Sequence, residues 1–413
     1  LRPTAVSNTP GPASAMARAA AAEAFSRRLG AAVRGLSGAW YNRHMAAADR
    51  AIRARLPLVD LVLEVRDARV PATSAFELLH RRSPEEPDVR LLVALNKADL
   101  ADKSETEKWV AFMKQRGCSC IAVNSHSRGS INELLNAVRG RIREIKLGVS
   151  DCTGTVLLVG IPNVGKSAII NAMHQIGRIG AAEKGKLKHA TVSSHPGETR
   201  DISGYKVASH PNIYVLDTPG VLSPIFANDE SGPRLVLTGK DSYEIQAFTC
   251  HYILFSDSCT SISGAIKDSL VEEYEIAQFL LTVLNLRTEC REWENLNLDG
   301  DKSSFADAIP TRSCHTKRQY SSDHTQDFIV RAVRQALSET IASFQGDLGN
   351  ENDLRRLVEI QFTHLQNAFR ISAETIEDRN KCVAVKLLNL YRTGRLGHYT
   401  LDHVPDFRQE VAA

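Results

Sequence analysis

One stretch of the sequence has glycines, a lysine and a serine at the spacing needed to bind a phosphate group. GIPNVGKS, residues 160–167, directly follows the apolar run TVLLV and precedes a segment with helical spacing. The glycines let backbone N–H groups turn inward around a β-phosphate, the lysine supplies a cation for the β and γ oxygens, and the serine hydroxyl can ligate Mg²⁺. The residues expected to contact a nucleotide here are Gly160, Asn163, Val164, Gly165, Lys166 and Ser167.

A second polar stretch, Asp217-Thr-Pro-Gly220, ends the apolar run NIYVL and would act on the metal side of the same site. In such a loop the aspartate holds the Mg²⁺ shell and the Gly220 N–H senses the γ-phosphate. Between the two stretches, HPGET ends at Thr199, a candidate switch threonine that completes the Mg²⁺ shell only when the γ-phosphate is present. Each of these two later stretches, read alone, is also compatible with a simple turn. The expected Mg²⁺ ligands are Ser167, Thr199 and Asp217, and Lys166 and Gly220 are expected to contribute to catalysis.

A third polar stretch could read the base of a guanine nucleotide. It lies in LLVALNKADL, residues 91–100, where Asn96 and Asp99 would recognise guanine because the carboxylate accepts from the N1 and N2 hydrogens. Lys97 would pack along the nucleotide loop. After the next apolar run, the backbone N–H of Ser125 or His126 would meet the guanine O6, although this segment could also be no more than a polar strand end.

Regular elements must hold these stretches together. Apolar runs with strand character alternate with helical patterns over residues 58–222, which predicts a mostly parallel, doubly wound α/β sheet. One helix is expected to start near Ser104, with a Ser-x-x-Glu capping signal. A helix before the phosphate loop has an apolar face made of Ile131, Leu134, Leu135 and Val138. Ligands bind such sheets at the carboxyl ends of the strands, where all of these polar stretches fall.

The order of the stretches is unusual, because the base-reading tetrapeptide precedes the phosphate loop. A doubly wound sheet tolerates rearranged termini when the old ends are joined and the new cut lies in an exposed connection. Here the joining linker would be residues 146–154. We therefore predict a P-loop GTPase sheet in circularly permuted order.

Changes in composition along the chain suggest its domain organisation. Residues 1–38 are expected to be a targeting or disordered segment, and residues 39–239 the GTPase domain. Residues 240–264 have an apolar core without a regular period and form an insertion, either a splicing product or a native surface loop. Amphipathic patterns over residues 265–413 predict an all-α domain with a polar linker at 287–324.

The composition limits the class of protein and its compartment. The chain has 413 residues with 43% hydrophobic and 24% charged residues, as in soluble globular proteins, and a net charge of +3 that neither supports nor excludes RNA binding. Eight scattered cysteines indicate reduced thiols, and no apolar run approaches the roughly 20 residues that span a bilayer.

From Met16 the chain is rich in alanine, with four arginines and a single acid before Tyr41, which is typical of a transit peptide. We expect a mitochondrial protein, with the plastid as the alternative.

Several segments, together with the order of the motifs, resemble the circularly permuted ribosome-assembly GTPases of the YlqF/RbgA type, especially their mitochondrial members. These segments are WYNRHMAAADRAI, VRDARVP, GIPNVGKS, PGET, DTPGVLSP and LVLTG, within residues 39–285. The resemblance implies GTP hydrolysis coupled to late maturation of the large ribosomal subunit, with rRNA contact and release upon hydrolysis. We further expect a monomer in the mitochondrial matrix, and peripheral association with the inner membrane stays open.

The hydrolysis mechanism must differ from that of GTPases with a glutamine after the metal-side loop, because Val221 occupies that position and cannot orient water. The resemblance offers His44 as a candidate catalytic residue, although this chain reads Asn-Arg-His-Met where the family usually has Pro-Gly-His-Met. A histidine that packs at the domain edge or touches rRNA is the alternative. The resemblance also implies that Asn163 supports a K⁺ ion, which would neutralise charge between the β- and γ-phosphates.

Two rival hypotheses remain at this stage. In the first, the protein is a GTP-dependent RNA- or ribosome-binding placeholder with negligible hydrolysis; in the second, the insertion at 240–264 makes an inactive isoform. Basic residues that could contact rRNA phosphates, or simply form solvated faces, are Arg50, Arg53, Arg55, Lys184, Lys186, Lys188 and His189.

Overall fold

The structure, a computed structural model, describes residues 43–76, 79, 90–146, 153–180, 203–209, 211–221, 273–286, 328–372, 375–402 and 404. It forms two compact units. One is Glu273–Tyr391, and the other combines the described residues from 43 to 221 with those from 392 onward. Sequence analysis grouped the residues from 392 onward with the helical domain, whereas the structure groups them with residues 43–221.

A six-stranded sheet forms the centre of the first part of the chain. Its strands are β1 (Leu61–Asp67), β2 (Leu91–Asn96), β3 (Ser119–Ala122), β4 (Thr153–Val159), β5 (Ser203–Ser209) and β6 (Asn212–Asp217). The spatial order is β3-β2-β1-β4-β6-β5. All neighbours are parallel except β5 and β6. The predicted mostly parallel α/β sheet is confirmed, and the antiparallel edge strand β5 was not anticipated.

Four helices belong to the unit that contains the sheet: α1 (Arg43–Arg55), α2 (Lys103–Gln115), α3 (Arg128–Ile145) and α4 (Lys166–Gly180). The predicted apolar face of α3 is buried along its whole length. The start of α2 differs slightly from the prediction. Its N-cap is Asp102, whose carboxylate accepts from the Glu105 N–H. Asp102 lies one residue before the helix, where a side chain can satisfy a free amide, whereas Ser104 lies inside the first turn.

Apolar side chains from the helices bury the sheet. Ala48 and Ile52 of α1 share a cluster with Leu157 and Val159 of β4. In a second cluster, residues of α2, Trp109 among them, pack with residues of β2. β1 is buried at every position although it carries charged residues, as expected for a strand with neighbours on both sides.

The other unit consists of α5 (Glu273–Leu286), α6 (Phe328–Ser343), α7 (Glu351–Ala368) and α8 (Ile376–Arg392). The helical structure predicted from amphipathic patterns in this part of the chain is therefore confirmed. A buried pair of amides joins two of them, since Asn285 Nδ2 donates to Gln361 Oε1 at 2.9 Å and Gln361 Nε2 donates to Asn285 Oδ1 at 2.6 Å.

Several expectations concern residues that are not described: the targeting segment 1–38, most of the joining linker, the insertion 240–264 and the polar linker 287–324. The predicted division into these segments stays a prediction. Within the described part of the chain, no helix combines the length and apolarity that crossing a membrane requires.

Candidate nucleotide site

The phosphate loop joins the end of β4 to the start of α4, as the sequence predicted. Gly160 has φ +151°, and a Cβ there would lie 2.4 Å from the Val65 carbonyl oxygen. Gly165 has φ +94°, and its Cβ would lie 2.3 Å from Asn96 Nδ2. Both positions therefore require glycine for conformation and for space. The loop ends at the N-terminus of α4, where free backbone N–H groups favour an anion.

Lys166 is buried beside this loop. Its Nζ donates to the Gly160 carbonyl oxygen at 3.1 Å and to the Ile161 carbonyl oxygen at 2.8 Å. Burial lowers the pKa of Lys166 to about 8, and the carboxylate of Asp217 opposes the shift. A buried ammonium held by carbonyl oxygens alone is poorly compensated, so phosphate oxygens at this position would be strongly attracted.

The metal-side loop lies next to the phosphate loop because β6 pairs with β4. The Asp217 carboxylate accepts from the Ser167 hydroxyl at 3.3 Å. Its other oxygen is buried without a hydrogen-bond partner among the described residues. Burial raises the pKa of Asp217 above its ordinary value, although Lys166 and Ser167 act in the opposite direction. An unpartnered buried carboxylate oxygen beside a serine hydroxyl suits Mg²⁺, which prefers oxygen ligands.

Gly220 follows and contacts the phosphate loop. A Cβ on Gly220 would lie 2.7 Å from Pro162 Cα and 3.0 Å from Lys166 Nζ, so only glycine permits this approach. Thr218 fixes the turn by donating its hydroxyl to the Leu158 carbonyl oxygen at 2.6 Å. Thr199, the third expected Mg²⁺ ligand, lies outside the described residues.

Asn96 joins the base-reading stretch to the phosphate loop. Its Nδ2 donates to the Val164 carbonyl oxygen at 2.8 Å, and its Oδ1 accepts from the Ser125 N–H at 3.2 Å. One buried side chain thus contacts both the phosphate loop and the loop expected to meet guanine O6. β2 and β4 both pair in parallel with β1, so the stretches that follow these two strands lie at the same edge of the sheet. Two stretches that are far apart in sequence are brought together in this way.

The remaining base-side residues surround this joint. Asp99 is exposed, as expected of a group that meets the edge of a base. The His126 N–H donates to Asn124 Oδ1 at 2.8 Å. Lys97 adopts φ +60°, and its Nζ lies 3.1 Å from Asp67 Oδ2. Its packing along the nucleotide loop stays a prediction.

Asp67 and Arg69 were missed as contributors to the site, although they lie in VRDARVP, one of the segments that carry the family resemblance. Asp67 accepts from Arg69 Nε at 3.0 Å and from Arg69 Nη2 at 2.8 Å. Burial alone would raise the pKa of Asp67, but the cations of Arg69 and Lys97 lower it below its ordinary value. Their position at the carboxyl end of a strand was the available signal.

The region expected to supply catalysis is described in part. Val221 is buried in the apolar cluster that contains Ala48 and Ile52 of α1, so its side chain packs in the core. His44 is in the first turn of α1, and its side chain lies outside the described part of the chain. Asn163 adopts φ +61° in the phosphate loop.

This sheet, the glycine-formed loop and the Lys166–Asp217 arrangement define a P-loop nucleotide-binding protein. A sequence model of the family described as "50S ribosome-binding GTPase" matches residues 155–285. The chain is 46% identical over 386 residues to "DAR GTPase 2, mitochondrial" of Arabidopsis thaliana, covering 92% of this chain and 95% of that one. It is 40% identical over 376 residues to "Short integuments 2, mitochondrial" of the same plant, covering 89% of each.

A bacterial relative extends the comparison. "Ribosome biogenesis GTPase A" of Bacillus pumilus is 30% identical over 305 residues, which cover 71% of this chain and 94% of the relative. The chain therefore belongs to the family of ribosome-biogenesis GTPases of the YlqF/RbgA type. It is a GTP hydrolase, as the resemblance of its motifs implied.

Proposed function

We propose that this GTPase assists assembly of the large subunit of the mitochondrial ribosome, where it contacts rRNA and leaves after hydrolysis. The observation that carries the proposal is the pair of hydrogen bonds made by the Asn96 side chain. They connect the phosphate loop, at Val164, to the loop expected to meet guanine O6, at Ser125. The names of the relatives support the rest, because two are called mitochondrial and one a ribosome-biogenesis GTPase. We place the protein in the matrix as a monomer.

The nucleotide is bound with Mg²⁺, which Ser167, Asp217 and Thr199 would hold. Mg²⁺ supplies charge neutralisation at the β- and γ-phosphates. Lys166 places a second cation on the same oxygens, and the backbone of the phosphate loop orients the chain of phosphates. On the base side, Asp99 selects guanine. Asn163 would support a K⁺ ion, which would neutralise charge between the β- and γ-phosphates.

We assign activation of water to His44. Val221 cannot serve, because its side chain is buried in an apolar cluster. Ala48 belongs to that cluster, and His44 precedes Ala48 by one turn of α1. The shared cluster of Ala48 and Val221 supports a position for His44 on the γ-phosphate side of the site.

Contact with rRNA would use exposed basic residues of α1. Arg50 is exposed, and Arg53 is exposed while paired with Asp49 at 3.0 Å. Each phosphate contact would make ribosome binding weaker at higher salt. The basic stretch of sequence that contains Lys184, Lys186, Lys188 and His189 lies outside the described residues.

The test is GTP turnover by the full chain with purified large mitochondrial subunits, in K⁺ and in Na⁺. We expect stimulation by the subunits, greater in K⁺, and about 100-fold less turnover for His44→Ala, as for loss of a general base. His364→Ala, which removes an exposed histidine of α7, is the matched control. Absence of stimulation above the free protein would instead favour a GTP-bound placeholder on the ribosome.

A further inference from the structure

The residues from Arg392, at the end of α8, onward belong to the unit that contains the sheet. In residues 392–402, which we call the return segment, the side chains of Leu396, Thr400, Leu401 and Asp402 are 2% exposed or less. Burial of this extent implies specific partners for the polar groups. Those partners lie in the loop after β1 and in α2.

Asp402 accepts four hydrogen bonds from the loop after β1 and from α2. Its Oδ2 accepts from the backbone N–H groups of Ala72 and Thr73, each at 2.8 Å. Its Oδ1 accepts from the Thr73 hydroxyl at 2.8 Å, and its carbonyl oxygen accepts from Trp109 Nε1 at 3.3 Å. A buried carboxylate with these donors holds the end of the β1 loop in one conformation.

Other contacts of the return segment lie closer to the nucleotide site. The Leu401 N–H donates to the Arg69 carbonyl oxygen at 2.7 Å. Arg69 Nη1 in turn donates to the carbonyl oxygen of Arg392 at 3.3 Å. The return segment therefore holds Arg69 at both its backbone and its guanidinium group.

Arg69 transmits this restraint to the base-reading stretch. Its guanidinium forms two hydrogen bonds to the carboxylate of Asp67, whose Oδ2 also lies 3.1 Å from Lys97 Nζ. The Ala68 N–H donates to the carbonyl oxygen of Asn96 at 2.7 Å. Both Asn96 and Lys97 are thus attached to the loop that the return segment holds.

We propose that the return segment supports the guanine site from outside it, and that Asp67 is a positioning residue that keeps Lys97 in place beside the bound nucleotide. This inference rests on the proposed guanine site and extends it to residues at the far end of the chain. A lysine side chain left free loses rotamer entropy when a ligand binds, whereas one already held by an ion pair loses less. The return segment therefore increases affinity for guanine nucleotides without touching them.

The primary test is dissociation of fluorescent GDP from full-length Asp402→Ala and Asp402→Asn. We expect dissociation about tenfold faster for the alanine variant, because a carboxylate with several buried donors is lost. Glu377→Gln, which changes an exposed acid in the first turn of α8, should match the wild type. Asp67→Asn is a second variant, in which the side chain keeps nearly the same volume. We expect GDP to dissociate faster from it as well.

A purely structural role is excluded by combining each variant with Lys97→Ala. If the return segment acts through Lys97, Asp402→Asn should accelerate GDP release in the wild type yet change it less than about twofold in the Lys97→Ala background. Equal fold-changes in the two backgrounds would overturn the proposal. Thermal unfolding without nucleotide verifies that each variant is folded, and Asp67→Asn decides the matter if the Asp402 variants are not.

The outcomes also separate this inference from the proposed function. If the wild-type protein fails to prefer GDP over ADP, the guanine site itself is wrong. If the wild type prefers GDP and the Asp402 and Asp67 variants behave like Glu377→Gln, only the role of the return segment is refuted.

Discussion

The two halves of the nucleotide site are built differently. The phosphate half, at the ends of β4 and β6, consists of a glycine-formed loop, a buried lysine and an aspartate with one oxygen that has no hydrogen-bond partner among the described residues. In the base half, at the ends of β1 and β2, Lys97 forms an ion pair with Asp67, and the Asn96 side chain hydrogen-bonds the Val164 carbonyl oxygen and the Ser125 N–H. Groups that need a ligand are therefore concentrated on the phosphate side.

This difference indicates how binding energy is distributed. Buried polar groups without full compensation gain most from a charged ligand, so the phosphates and Mg²⁺ should dominate affinity. A prearranged base half contributes selectivity, because its groups are already positioned and reject a base that leaves them unpaired. Substitutions in the two halves should therefore give different kinds of defect.

The largest effect is expected for Lys166→Ala in the phosphate half. Loss of a cation on the β and γ oxygens should lower turnover by about 10²–10³-fold, in the range measured when one transition-state donor is removed. The free energy of unfolding of the nucleotide-free variant should not fall below that of the wild type, because burial of the Lys166 ammonium is itself costly. Turnover assays and thermal melts measure both quantities. Lys114→Ala, an exposed lysine of α2, is the control, and unchanged turnover in Lys166→Ala would contradict this account of the phosphate half.

An intermediate effect is expected for Asp99→Asn in the base half. GTP affinity should fall about 100-fold, and xanthosine triphosphate should replace GTP, because the amide reverses the hydrogen-bonding pattern that reads the base. Competition binding with both nucleotides measures the change. Glu107→Gln, an exposed acid on α2, should keep the wild-type preference. Retained GTP affinity without any gain for the xanthine nucleotide would show that Asp99 does not read guanine.

The smallest effect is expected for Asn96→Ala at the joint between the halves. The Val164 carbonyl and the Ser125 N–H would lose their partner, which should reduce the free energy of unfolding by about 1–3 kcal/mol. GTP affinity should also fall by about tenfold, with little change in preference between bases. Urea unfolding and calorimetry measure the two effects. Asn136→Ala on the exposed side of α3 is the control, and a change confined to selectivity would place Asn96 in the base half alone.

Much of the fold could be predicted because its signals are local. Glycines, strand runs and helical periods located the strands that carry the polar stretches, and the apolar face of α3 was identified residue by residue. The edge strand β5 was missed, because SGYKVAS has only a short alternation and pairs antiparallel to its neighbour. The N-cap of α2 was assigned to Ser104 instead of Asp102, since two polar residues only two positions apart can both satisfy a capping pattern.

Some residues of the site could be predicted from short motifs, whereas others could not because their contacts are far apart in sequence. Lys166, Asp217 and Gly220 lie in short motifs whose chemistry follows from residue type and spacing. Asp67 and Arg69 lie in a segment without an independent chemical signature, and Asp402 lies far along the chain from the loop that it holds. Contacts over such separations have no local pattern.

The sequence by itself determined which residues could bind phosphate, metal and guanine, because these abilities reside in single side chains and in the conformational freedom of glycine. It also determined the alternation of strands and helices, since burial follows local apolar periodicity. Only the tertiary structure decided that Asn96 contacts the phosphate loop and that the return segment holds Arg69. The physical reason is that strand order in the sheet and burial of distant polar groups depend on long-range packing, which no short stretch of the chain encodes.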